Sequence, residues 1–144
     1  MVHRVRFSVL SLLTIGTAAL LGTFVAHMPM AQADEFNEQD LQIWQQNFEE
    51  AVAKGRAAFT DPSLGTNGVV CAQCHPNGAN THPETYPKYQ KQLGHVAPLW
   101  EMINWCIRNP LEGQELAAND PVMLALQAYI TQERRGVKLA PGKH

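Results

Sequence analysis

Apolar positions fall in three regimes along this chain. From Val9 to Val25 they run on almost unbroken, interrupted only by small or hydroxyl residues. From Leu41 to Phe59, and again from Leu99 and from Val122, they recur every three or four positions among polar residues. Elsewhere no period survives, and Pro, Gly, Asn and Thr dominate. A continuous apolar run reads as a targeting or membrane segment, the period of three to four reads as amphipathic helix, and the remainder reads as loop.

The continuous run has the flanks of a secretory signal peptide. His3, Arg4 and Arg6 precede it, and Ala31-Gln32-Ala33 forms an A-x-A cleavage site with Asp34-Glu35 directly behind. The rival is an uncleaved membrane anchor, since the run approaches spanning length. The A-x-A site favours cleavage, which makes residues 1–33 a signal peptide and residues 34–144 a single small domain without a membrane span.

Within that domain the period predicts three helices. The first carries the stripe Leu41, Trp44, Phe48, Val52 and Phe59, with Gly55 on the same side, where a missing side chain lets another helix cross closely. Asn37 or Asp40 caps it and Asp61-Pro62 ends it. Residues 63–68 are turn-rich, and Pro76 to Gly94 is expected to be mostly loop. Pro98 opens a short helix from Leu99 to Asn109 that Pro110 stops. After a loop from Leu111 to Asn119, Asp120-Pro121 supplies the cap and first-turn proline of the last helix, which runs to about Arg135. Val122, Leu126, Tyr129 and Ile130 form its apolar face, Arg134 and Arg135 suit its C-terminus, and Gly136 can close it. The fold class is therefore all-α.

Charge narrows the partners. Residues 34–144 hold 9 Lys and Arg against 13 Asp and Glu, a formal net of −4. No basic cluster is present of the kind that nucleic acid requires. A domain of this length builds only a modest core.

Cys71-Ala72-Gln73-Cys74-His75 carries the chemistry. C-x-x-C-H is the spacing that attaches a c-type haem: two thiols add across the haem vinyls, and the histidine directly behind reaches the iron from one face. A C-x-x-C redox pair is expected near a βαβ pattern, which is lacking, and a zinc site needs two further ligands, which no second C-x-x-C or H-x3-H provides. Export agrees, because bacterial c-type haem is attached outside the cytoplasm. The reading is one covalent haem c in the periplasm, held by Cys71, Cys74 and His75, whose packed faces supply much of the missing interior.

With these features together the chain resembles the class I cytochrome c family over residues 39–135. Gly55 and Phe59 are similar to the Gly-x-x-x-aromatic signature of that family's first helix, and Tyr129 to the aromatic of its last. The resemblance implies a small class I cytochrome c-like haem domain, and a distal iron ligand in the segment before the last helix. Sulfur and imidazole candidates are Met102, Met123, Cys106, His82, His95 and His144. Met102 and Cys106, four apart, share a helix face with Leu99 and Ile103. Met123 is placed to pack, and His82 and His95 have ordinary polar roles open to them.

Leu99-Trp100-Glu101-Met102-Ile103-Asn104-Trp105-Cys106, followed by Met123 to Ile130, resembles the haem domains of Sox-type sulfur-oxidation cytochromes and of thiosulfate dehydrogenases. In those families a cysteine at the position of Cys106 binds iron opposite the proximal histidine, so the resemblance implies Cys106 as the distal metal ligand. Sox-type catalytic domains carry arginines just before that cysteine. Here Glu101, Met102 and Asn104 stand there, and the nearest cation is Arg108. Binding an anionic substrate needs positive charge. An electron carrier serving periplasmic redox proteins or a larger redox complex is thus expected over its alternative, an enzyme or enzyme subunit that oxidises or conjugates thiosulfate-like compounds at Cys106. A ligand-binding sensor haem is the third class.

Overall fold

The computed structural model describes residues 36–139. The expected signal segment 1–33, its Ala31-Gln32-Ala33 site and His144 lie outside them. In chain order the elements are α1 (Glu38–Phe59), α2 (Cys71–Cys74), β1 (Lys88–Gln90), β2 (His95–Ala97), α3 (Leu99–Arg108) and α4 (Pro121–Arg134). Single 3₁₀ turns start at Pro62, Pro76 and Pro83, each opened by its proline. No helix of the described residues is long and apolar enough to cross a membrane.

Both residues expected to cap α1 take part. Asn37 Oδ1 accepts from the backbone N–H groups of Gln39 and Asp40 at 2.9 and 3.1 Å, and Asp40 returns a bond to Asn37 N. Asp120 Oδ1 accepts from Val122 N at 2.7 Å and starts α4. The helix expected to end at Asn109 ends at Arg108, and Asn109 caps it.

One expectation needs correction. The α1 stripe is not buried along its whole length: Leu41 is 55% and Trp44 is 49% exposed. A helix of 22 residues reaches about 33 Å, whereas the 14 residues of α4 reach about 21 Å. Only the C-terminal half of α1 therefore finds α4, and Trp44 packs on Phe36 instead, with ring centroids 4.5 Å apart. The stretch from Pro76 to Gly94 is mostly loop as expected, with a short hairpin strand within it. Lys88 pairs with Ala97, Tyr89 with Val96 and Gln90 with His95, around a turn closed by Gly94 at φ +77°. Three-residue strands are too short for a period of two to register in the sequence. On α4, Val122 is exposed and Met123 is the residue turned inward.

The core is Phe59, Ile103, Ile107, Met123, Leu126, Tyr129 and Ile130. It forms where α1 crosses α4 at Gly55. A Cβ there would overlap the Ala125 carbonyl and stand 2.7 Å from Tyr129 Cβ. Phe59 meets the Tyr129 ring at 5.1 Å, and Arg56 lies over that ring and pairs with Glu133 at 2.5 Å. Gly55→Ala is expected to cost about 3 kcal/mol, read as a lower guanidinium midpoint. An unchanged midpoint would show that the helices do not rely on this close approach.

The segments around the motif are tied to the end of α3. Thr66 N donates to Leu111 O, Thr66 Oγ1 to Glu112 O, and Asn67 Nδ2 to Pro110 O. Asn104, only 5% exposed, donates to Leu116 O at 2.8 Å and accepts from Leu116 N at 2.9 Å. A buried amide satisfied on both sides holds the loop before α4 in place. The residue that stands where an arginine was sought thus has a structural task.

Candidate cofactor site

Residues from α1, the motif, the segment 80–92, α3 and α4 line a cavity of about 610 Å³. The apolar lining is drawn from Phe59, Val70, Leu99, Ile103, Leu126 and Ile130, and most of the polar lining from the segment between Asn80 and Gln92. Cys71, Cys74 and His75 line it from the motif; Met102, Trp105 and Cys106 line it from α3.

The motif is held by its own backbone. Cys71–Cys74 make one helical turn, Gln73 Oε1 accepts from Val70 N at 3.1 Å, and His75 N donates to Cys71 O at 2.9 Å. Asn77 (φ +51°) and Gly78 (φ +66°) then turn the chain back through left-handed conformations, and buried Gly78 lies against Glu133 Cβ. This turn brings the Ala79 carbonyl 2.8 Å from His75 Nδ1. A carbonyl can only accept, so Nδ1 carries the proton and Nε2 keeps its lone pair for a metal. A backbone acceptor of this kind fixes both tautomer and ring orientation.

The geometry sorts the other candidate ligands. Met102 and Cys106 both line the cavity, as does His82. His82 Nδ1 sits 3.3 Å from Glu84 Oε1. Met123 is fully buried in the core, away from the cavity. His95 is exposed: Nδ1 donates to Leu93 O at 3.1 Å and Nε2 lies 2.7 Å from Glu101 Oε2. The bond from Glu101 raises the pKa of that imidazole. Both nitrogens are committed away from the cavity.

Burial pushes the Cys106 thiol up to about 11, and the nearby Cys71 and Cys74 thiols act in the same direction. Without a cation at its sulfur it is a neutral thiol at pH 7. Arg108, the nearest cation in sequence, is exposed and pairs with Glu115. Glu101 is taken by His95, and Asn104 by Leu116. Around Cys106, α3 therefore presents Leu99, Met102, Ile103 and Trp105 to the cavity and no charge. The one permanently charged side chain among the described lining residues comes from elsewhere. It is Lys88 of β1, whose ammonium stands 4.5 Å above the Tyr86 ring.

Residues 54–139 match the family described as SoxA/TsdA, cytochrome c domain. The chain belongs to this family. Among similar proteins, the thiosulfate dehydrogenase of Allochromatium vinosum is 28% identical over 105 residues, covering 61% of this chain and 39% of that protein. The L-cysteine S-thiosulfotransferase subunit SoxA of Rhodovulum sulfidophilum is 33% identical over 92 residues, covering 62% of this chain and 32% of that protein. The chain thus spans about a third to two-fifths of the length of these relatives. The SoxA/TsdA match contains every residue that lines the cavity. A cytochrome c domain takes haem c, and the residues here fit that group. Two thiols and a free imidazole nitrogen face one side, an apolar wall suits the macrocycle, and a polar end suits its carboxylates.

Lys88, Tyr86, Gln90 and the Ala79 carbonyl escaped the sequence reading. The carbonyl leaves no residue signature, and Lys88 is separated from α3 by a hairpin too short to announce itself.

Proposed function

We propose that this domain is a periplasmic monohaem electron carrier, exported by the 1–33 signal peptide and active as residues 34–144. Cys71 and Cys74 would hold one haem c by thioether bonds, with His75 Nε2 and Cys106 as the residues that would bind its iron. When bound, haem supplies a reversible one-electron iron couple. The chain's contribution is to hold His75 in one tautomer through Ala79, and to bring Cys106 into the same cavity on a helix seated by Ile103, Asn104 and Ile107. The apolar wall keeps water from the macrocycle.

The observation that carries the carrier reading is the uncharged α3 surface around Cys106. Its cationic neighbour Arg108 is paired outward with Glu115, so nothing on that helix holds an anionic substrate beside the sulfur. Partners are periplasmic redox proteins or a larger redox complex, in keeping with relatives whose names place them in thiosulfate chemistry. The purified holoprotein is expected to exchange electrons rapidly with such a partner, and to give no sustained thiosulfate-dependent reduction of an artificial acceptor.

A second reading is favoured by those relatives' names and by Lys88 on the cavity rim. In it the domain is an enzyme, or a subunit of one, that oxidises or conjugates a thiosulfate-like compound at Cys106. Sustained thiosulfate turnover that disappears in Cys106→Ala would establish it in place of the carrier.

A further inference from the structure

The polar lining of the cavity is not scattered. Asn80, Thr81, His82, Thr85, Tyr86, Lys88, Gln90 and Gln92 all come from one segment, while α1, α3 and α4 contribute the apolar wall. A haem is divided in the same way, with an apolar macrocycle and two carboxylates on one edge. A carboxylate taken out of water needs a cation or several donors, because an unpaired buried anion is costly.

Such a set exists on the hairpin. Strand alternation turns Lys88 and Gln90 inward and leaves Tyr89 outside. Gln90 Nε2 donates to Tyr86 Oη, which leaves the phenol proton free for another acceptor. The Lys88 ammonium sits 4.5 Å over the ring of the same tyrosine, so cation and hydroxyl are close together. The backbone beneath is firm, for Lys88 pairs with Ala97, a fully buried residue two before α3. We infer that Lys88, with Tyr86 and Gln90, seats a haem propionate at the polar end of the cavity. This rests on the haem reading above and adds to it the residues that recognise the cofactor's acidic edge.

The charged neighbours are consistent with this. Glu84 is the acidic group near Lys88, and it is exposed and shared with His82. Cys106 lies near Tyr86 from α3, and in the holoprotein its sulfur would be taken by the iron. From β2, His95 is exposed and bound to Glu101. Partial burial lowers the Lys88 pKa, as it does for an ammonium awaiting an anion.

The test uses holoprotein of wild type, Lys88→Met, Lys88→Arg and Tyr86→Phe. Acid–acetone extraction first establishes that haem is attached, and the midpoint potential is then titrated against pH. Loss of the cation favours the ferric state, so Lys88→Met lowers the potential at pH 7. It also leaves the propionate unpaired, which raises that group's pKa. A segment in which the potential falls with rising pH then appears above the ordinary carboxylate range. Tyr86→Phe gives a smaller shift in the same direction, and Lys88→Arg restores the wild-type curve. Added thiosulfate leaves the wild-type potential unchanged, because the seat is taken. A wild type without attached haem overturns the haem reading itself. Haem-loaded Lys88→Met with the wild-type curve overturns only the propionate seat. A thiosulfate-induced shift in wild type that vanishes in Lys88→Met also overturns it, and assigns the ammonium to an external oxyanion.

Discussion

Protein made with a working cytochrome c maturation system is expected to have, after acid–acetone extraction, the mass of the chain beginning at Asp34 plus one haem. Cys71→Ser/Cys74→Ser is expected to abolish that excess and to lose cooperative unfolding as well. The reason lies in how little else fills the domain. Ten hydrophobic residues are buried among the described ones, beside a cavity of about 610 Å³. An apolar wall left against water instead of a macrocycle forfeits its burial, and a small domain is held together by only ~5–15 kcal/mol. The double variant should therefore melt without a sharp thermal transition, with much of its helical circular dichroism gone. A wild-type mass lacking haem would end the cytochrome assignment of Cys71 and Cys74. A mass that still contained residues 1–33 would remove only the signal-peptide cleavage.

The second large effect concerns Cys106 and Met102, which share one face of α3 and both line the cavity. Only one can take the distal position. A ferric iron favours an anionic thiolate, and its charge supplies what the buried thiol lacks, lowering a pKa that burial alone has raised. Thiolate pushes electron density onto iron and lowers the potential, whereas methionine raises it. Cys106→Ala is therefore expected to change the ferric spin state and to raise the potential. Met102→Leu, an apolar swap of similar volume, is expected to leave both nearly unchanged. Low-temperature electron paramagnetic resonance of the ferric protein reads the first quantity and a redox titration reads the second. The weak long-wavelength absorption of methionine–iron ligation, present in wild type, lost in Met102→Leu and kept in Cys106→Ala, would reverse the assignment.

Several features were legible before any coordinates, because they are local. C-x-x-C-H declares its chemistry by spacing alone. Asn37, Asp40 and Asp120 bound their helices through bonds that reach two or three residues, and Pro121 opens its helix by its fixed φ. The i, i+4 relation of Met102 and Cys106 follows from helical geometry alone. Gly55 and Tyr129 were recognised through their family resemblance, and the α1–α4 crossing shows why the glycine is needed there: a Cβ would strike the Ala125 backbone.

What the tertiary structure decided lies between segments. The amphipathic stripe of α1 promised burial to Leu41 and Trp44, but a stripe does not state how long its partner helix is, and α4 stops short of them. His95 and Met123 were candidate ligands by residue type. The fold commits one to Glu101 and Leu93 and the other to the core. Asn104 was read as a missing cation and is the anchor of the loop before α4. Lys88 stands 18 positions before Cys106 in the sequence, yet it enters the same cavity because a hairpin folds it back beside α3. Bond-forming residue types and helix periods are properties of neighbours along the chain, so the sequence by itself determined the motif, the helices and the shortlist of ligands. Which wall of a cavity carries charge depends on packing between distant segments, and only the folded chain determines that.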